Sequence, residues 1–319
     1  MIGEKMTPIN KRILVTGGAG FLGSHIVDKL HERGYADVAV IHSSEFDLRI
    51  PESVNRMYRV FEPKVVIHAA ARCGGIGLNK AKPAELFHDN MMMGLLMMEG
   101  ARQNGVKKFV QIGTVCEYPK YAKLPFMESE IWDGYPEETN APYGIAKKAL
   151  LVQGQAYRQQ YGLNVIHLLP VNLYGPRDNF NPESSHVIPA LIKKIADAKE
   201  ANEPTVSIWG SGFATREFLY VEDAAEAIVR ATELYNSPEP VNIGTGYDVT
   251  IADLAERIAF EIQYNGIFIY DTSMPDGQPR RVLSIKKAIN EFGFRATTKL
   301  QEGLDRTIKW YYNERNHGN

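Results

Sequence analysis

Three glycines, spaced Gly17-x-x-Gly20-x-x-Gly23, constrain this chain more than any other feature, because of what flanks them. Before them stands the apolar run Ile13-Leu14-Val15-Thr16; after them comes an apolar-periodic stretch through Ile26, Val27 and Leu30 that stops at Gly34. The order predicts strand, glycine turn, helix. Without side chains the turn can approach a pyrophosphate closely, while the helix N-terminus aims N–H groups and a partial positive charge at it. Glycine spacing alone serves any tight turn, and it is the strand before and the helix after that point to a dinucleotide.

The pattern continues in kind. A second strand is predicted at Val38–Ile41, then a helix with Val54, Met57 and Tyr58 inward, and a third strand Val65–Ile67 running into His68-Ala69-Ala70-Ala71. A long helix over Ala84–Asn104, the strand Phe109–Ile112, a helix Tyr143–Tyr161 and the strand Val165–Leu169 follow, leading into a loop at Pro170–Pro176. Alternation of this sort predicts an α/β fold, a Rossmann-like doubly wound parallel sheet with right-handed crossovers. The methionine-rich helix is expected to be core or a dimer seam. Later, loops rich in Pro, Asn and Ser alternate with shorter elements, including helices Val187–Ala198 and Glu222–Leu234. These predict a smaller C-terminal α/β substrate lobe. The expected division is 1–172 for the nucleotide-binding domain and 173–319 mainly for the lobe, with some segments returning to the first domain.

A formal net charge of -2 offers no electrostatic case for a nucleic-acid or membrane partner, so an anionic ligand must be met by local cations. Only Cys73 and Cys116 occur, which suits a reducing, cytoplasmic compartment. No apolar run approaches the roughly 18 to 20 residues of a membrane span. Met1–Asn10 has no apolar core of a secretory signal and reads as a frayed leader. No metal ligands are assigned. A site preferring NAD carries an acid about 20 residues past the glycines. Here stand Val40-Ile41-His42-Ser43-Ser44, with no carboxylate until Glu45, so NADP(H) is expected, with NAD(H) as the alternative.

In Pro142-Tyr143-Gly144-Ile145-Ala146-Lys147 a phenol and an ammonium lie four residues apart, on one helix face. A tyrosine with a pKa of about 10 exchanges protons near neutrality only if a neighbouring positive charge favours the phenolate. Together with the glycine turn and Thr114 at a strand end, this pair resembles the extended short-chain dehydrogenase/reductases, in their nucleotide-sugar branch. The resemblance narrows at Ala69–Ile76, Cys116-Glu117-Tyr118-Pro119, Asn172–Pro176 with Asp178-Asn179-Phe180, Ser185–Leu191 and Pro275–Arg280. These five separated motifs, in matching order, resemble the GDP-L-fucose synthase family, 3,5-epimerase/4-reductases of GDP-4-keto-6-deoxymannose.

The resemblance implies the following roles. Thr114 and Tyr143 would serve the sugar C4 oxygen, and Lys147 would hold the nicotinamide ribose and lower the phenol pKa. Cys116 and His186 would remove and return protons at C3 and C5; a thiol and an imidazole suit that exchange near neutral pH. Cofactor contacts are expected at Gly17, Gly20, Phe21, Leu22, Gly23, His42, Ser43, Ala70, Lys147, Asn172 and Leu173. A GDP-sugar would meet Lys194, Trp209, Arg216 and Asp276, with Lys193 and Arg280 as further candidate cations. A homodimer pairing the helices Ala84–Asn104 and Tyr143–Tyr161 is implied as well.

Two departures stand out. His42-Ser43-Ser44 replaces the family's basic run after the second strand, and Val115 and Glu117 flank Cys116 in a way expected to retune the thiol or admit another sugar. The rival readings are a related epimerase or C4-reductase acting on another nucleotide sugar, and a non-catalytic dinucleotide-binding sensor. A 4,6-dehydratase would follow its strand-end hydroxyl with an acidic pair, where this chain has Val115-Cys116. A simple 4-epimerase would not require Cys116 with His186.

Overall fold

The structure is a computed structural model that describes residues 12–274 and 276–317; the leader Met1–Asn10 and Pro275 of the Pro-Asp-Gly segment lie outside the described residues. Strands β1 (Ile13–Thr16), β2 (Val38–Ile41), β3 (Val65–His68), β4 (Lys108–Ile112) and β5 (Asn164–Pro170) alternate with helices α1 (Phe21–Glu32), α2 (Pro51–Phe61), α3 (Ile76–Ala81), α4 (Pro83–Gln103) and α5 (Ala141–Tyr161). The chain continues through β6 (Asn172–Tyr174), α6 (Val187–Glu200), β7 (Thr205–Trp209), β8 (Thr215–Tyr220), α7 (Val221–Leu234) and β9 (Val241–Ile243). It ends with β10 (Asp248–Thr250), α8 (Ile251–Ile262), β11 (Ile267–Asp271), β12 (Arg280–Arg281), α9 (Lys286–Phe292) and α10 (Leu300–His317).

The main sheet is parallel throughout, in the order β2-β1-β3-β4-β5-β9. Its strands are apolar on both faces because helices cover both. Ile13, Val15, Val65, Ile67, Val110 and Ile112 pack into one core with α1 and α7. The alternate residues Leu14, Val66 and Phe109 pack into the other, with Val54, Met57 and Tyr58 of α2 and Met97 and Met98 of α4. Both of those methionines are fully buried, so that part of the methionine cluster is core.

The expected loop at Pro170–Pro176 contains β6, which pairs in parallel with β8 (Asn172 with Phe218, Tyr174 with Tyr220). Three residues are too few for a periodicity signal, and only the partner strand 46 positions on reveals them. With β10, β8 and β12, β6 builds a second sheet; β7 and β11 form a third. A separate apolar core lies beneath them, including Ile188, Ile192, Phe218, Leu254 and Ile258. The chain returns to the main sheet at β9, so the two units are interleaved in sequence.

Candidate active site

The loops leaving the carboxyl ends of β1 to β5 face the second lobe across a cleft of about 1170 Å³. That is where an open parallel sheet binds ligands, next to the point where strand order reverses on either side of β1. Apart from two candidate cations, the residues singled out for cofactor, catalysis and substrate line this one cleft: Gly17, Gly20, Phe21, Leu22, Gly23, His42, Ser43, Ala70, Thr114, Cys116, Tyr143, Lys147, Asn172, Leu173, His186, Lys194, Trp209, Arg216 and Asp276. Lys193 and Arg280 are elsewhere. Lys193 pairs with Asp197 at 2.8 Å along its own helix, and Arg280 with Asp248 at 2.7 Å.

At the nucleotide end, α1 begins at Gly20 with no side-chain cap and no acidic residue in its first turn. Its leading N–H groups therefore point into the cleft without a carboxylate competing for them. The turn is tight enough that a Cβ on Gly23 would collide with the Gly17 carbonyl oxygen, and Gly17 itself has φ +70°. Thr16 holds the neighbouring loop: its hydroxyl meets His68 Nδ1 at 2.8 Å and accepts the Ala70 N–H at 3.3 Å. This cradle fits a dinucleotide pyrophosphate. Beyond β2 the cleft also takes in Asp47 and Arg49, which lie past the His42-Ser43-Ser44 run singled out in the sequence. Arg49 is ion-paired with Asp47 at 2.8 Å and Asp89 at 3.2 Å, and Asp89 also holds Arg72 at 2.8 Å.

Thr114, at the end of β4, does two things at once. It caps the short 3-10 turn Val115–Glu117, its Oγ1 accepting the Cys116 N–H at 3.2 Å, and its hydroxyl also faces the Tyr143 phenol. α5 can press its Tyr143 turn against this loop because Gly144 has no side chain; a Cβ there would collide with the Cys116 carbonyl oxygen. Lys147, one turn on and 2% exposed, donates to the Ile112 carbonyl at 3.0 Å.

Burial dominates the proton affinities. It pulls Lys147 down to about 8, against the opposing pull of Cys73 and Glu117. It pushes the Tyr143 phenol well above its usual value, with Cys73, Cys116 and Glu117 adding to the rise and the Thr114 hydroxyl opposing it. The net direction is upward, opposite to the lowering expected from Lys147, because desolvation of the phenolate dominates. Cys73 and His186 present surface to the cleft, yet the protein around them still strips water away. Burial raises the Cys73 thiol and lowers the His186 imidazole.

His186 stands as N-cap of α6, and the strand-to-helix strap of the other wall closes on the residues before it, with Gly75 N–H donating to the Ser184 carbonyl at 3.1 Å. Arg281 also reaches the cleft, its Nη1 3.7 Å from the Cys116 sulphur. Sequence reasoning had favoured its neighbour Arg280; in a two-residue strand successive side chains point to opposite faces, and only pairing with β8 decides which faces inward. Farther out, Lys194 Nζ sits 5.4 Å from the centre of the Trp209 ring, and Asp276 accepts hydrogen bonds from the Ser211 backbone and hydroxyl, both at 2.8 Å. Burial lowers Arg216, and the like charge of Arg281 lowers it further.

The profile of the NAD dependent epimerase/dehydratase family matches residues 13–244. Over 299 residues the chain is 41% identical to the GDP-L-fucose synthase of Sinorhizobium fredii (strain NBRC 101917 / NGR234), covering 94% of this chain and 95% of that protein. It is 39% identical over 301 residues to the probable GDP-L-fucose synthase 1 of Oryza sativa subsp. japonica, covering 94% and 92%. Among solved structures it is similar to a GDP-L-fucose synthetase from Naegleria fowleri bound to NADP, with a TM-score of 0.89, 26% identity and coverage of 99% of each chain.

Proposed function

The chain belongs to the NAD dependent epimerase/dehydratase family, with the GDP-L-fucose synthases as its relatives, and from that premise we propose that its cleft converts GDP-4-keto-6-deoxy-D-mannose to GDP-L-fucose with NADPH. The observation that carries this reading is the convergence of Thr114, Cys116, Tyr143, Lys147 and His186 on one cleft with the glycine turn.

The C4 ketone acidifies the hydrogens at C3 and C5. Cys116 and His186 supply the acid and base there: one takes the proton from a carbon, and the other returns a proton to the opposite face of the enolate. Burial favours the neutral imidazole of His186, which can accept a proton. When bound, the reduced nicotinamide supplies hydride to C4. Tyr143 donates the proton to the C4 oxygen, and the raised phenol pKa keeps that proton loaded until the alkoxide forms. Thr114 aims a second donor at the same oxygen. Lys147 holds the nicotinamide ribose beside them. Trp209, Lys194 and Arg216 meet the nucleotide, and Asp276 closes the sugar end.

A homodimer through α4 and α5 accompanies this reading, supported by Phe87, Leu95, Val152 and Tyr161, which leave apolar surface exposed on those helices. A cytoplasmic location accompanies this reading, in keeping with two free cysteines among the described residues. Among the described residues no helix is long and apolar enough to cross a membrane. Incubation with the 4-keto sugar in deuterated water tests the function: label at C3 and C5 with consumption of NADPH is expected, and the absence of both would overturn it. Cys116→Ser is expected to slow exchange at C3 and C5 about a hundredfold while reduction of an already epimerised ketone survives. Equal loss of both would refute that division of labour.

A further inference from the structure

Glu117 is a position where the sequence departs from the family it resembles, and the structure turns it away from both uses expected of it. The cleft is lined by Cys116, whereas Glu117 is 0% exposed and lies behind the catalytic turn. Its Oε1 accepts the Thr114 N–H at 2.9 Å, completing a capping box in which Thr114 and Glu117 satisfy each other's turn. Both carboxylate oxygens face His167 Nε2 from β5, at 3.1 and 3.0 Å. His167 is itself 2% exposed. Among the described residues its buried Nδ1 has no hydrogen-bond partner.

That atom bears on which ring nitrogen carries the N–H. A proton on Nδ1 would be a buried donor with no acceptor, which costs more than an unfilled lone pair. The ring N–H therefore sits on Nε2 and is donated to the Glu117 carboxylate. We propose that Glu117, with its buried partner His167, is a positioning residue for the reduction: it anchors the Thr114 backbone and seats a buried carboxylate behind the strand end whose Ile112 carbonyl holds Lys147.

The groups around Lys147 agree. Cys73 from the strap after β3 and Glu117 from the turn after β4 both favour its charged form against burial. His68, at the end of β3, is held neutral by burial and by Lys147 itself, so it adds no charge. Tyr143, on the same helix, is kept protonated partly by Glu117. Lys148 also feels Glu117, but its ammonium is engaged by the Ile131 carbonyl and lies 4.4 Å from the centre of the Trp132 ring. One buried carboxylate thus supports both members of the Tyr143 and Lys147 pair in the protonation states reduction requires.

This inference rests on the reductive reading of the cleft. Glu117→Gln keeps an acceptor for the Thr114 N–H and removes the charge; Glu117→Asp keeps the charge and withdraws the acceptor. The pH profiles of ketone reduction and of NADPH binding, followed by fluorescence titration, are compared with the wild type. In Glu117→Gln the alkaline limb of both should move about one pH unit lower, as Lys147 loses its proton earlier. In Glu117→Asp the limb should stay, with a lower plateau rate. An alkaline limb unmoved in Glu117→Gln would overturn the proposal even if the variant is less stable. A wild type that binds NADPH but reduces no ketone would sink the functional reading, leaving the binding profile to judge Glu117. Should Glu117→Gln fail to fold, the ¹⁵N signals of His167 in the wild type decide: a neutral ring protonated on Nε2 at about pH 6 to 8 supports the proposal, and an imidazolium overturns it.

Discussion

On the sheet side of the cleft, Lys147 is anchored on the Ile112 carbonyl, Thr114 is held by Glu117 through its own backbone, and Gly144 seats α5 against the Cys116 carbonyl. On the lobe side, Trp209 is 51% exposed with Lys194 above it, and Asp276 reaches across a glycine loop to Ser211. Thr114 and Lys147 are placed by buried backbone contacts, whereas Trp209, which would greet the nucleotide, stands on open surface. The difference follows from what each must do. A proton donor has to be within a few tenths of an ångström of its target when charge develops, whereas a stacking or ion-pairing contact tolerates adjustment and gains from it on binding.

Variants can break or sharpen that contrast. Tyr143→Phe removes a group placed by the rigid wall and should lower ketone reduction about a thousandfold, in line with the roughly 3 to 4 kcal/mol of one lost donor to a developing oxyanion. Deuterium exchange at C3 and C5 should continue, and turnover near the wild-type rate would show that the buried wall does not supply the proton. Trp209→Ala, on the open wall, should raise KM about tenfold with kcat nearly kept, since stacking on a base is worth about 1 to 3 kcal/mol. A loss confined to kcat would place Trp209 with the rigid groups instead.

The smallest effect is one of stability, at a cation of the buried wall. Lys147 has a folded pKa of about 8 against an ordinary 10.5, so the unfolded chain binds more protons between those values and stability contributed by this site rises with pH across them. Below pH 8 the full cost of burying its charge is present. Lys147→Met should therefore raise Tm by a few degrees at about pH 7 while abolishing reduction, with the advantage shrinking as pH climbs above about 8. A lower Tm at every pH would mean that the hydrogen bond to Ile112 matters more than the desolvated charge.

Much of this was legible in the residues. The glycine turn, the strands β1 to β5 and the helices α1, α4 and α5 announce themselves through local period and punctuation, because each buries a continuous apolar face. Thr114, Tyr143 and Lys147 were legible for the same reason, since strand ends and helical spacing fix where they point. β6 and the choice of Arg281 over Arg280 were not, because short strands take their facing from a partner far along the chain. Nor was the direction of the Tyr143 shift, which depends on how much water the surrounding protein removes.

Taken alone, then, the sequence determined the parallel sheet, the dinucleotide turn and the list of groups able to move protons, all of which follow from local pattern and side-chain chemistry. Only the tertiary structure decided that Glu117 turns inward to His167 and that burial holds the Tyr143 proton in place. Charge and solvation act through space, and no spacing along the chain records which buried groups will share that space.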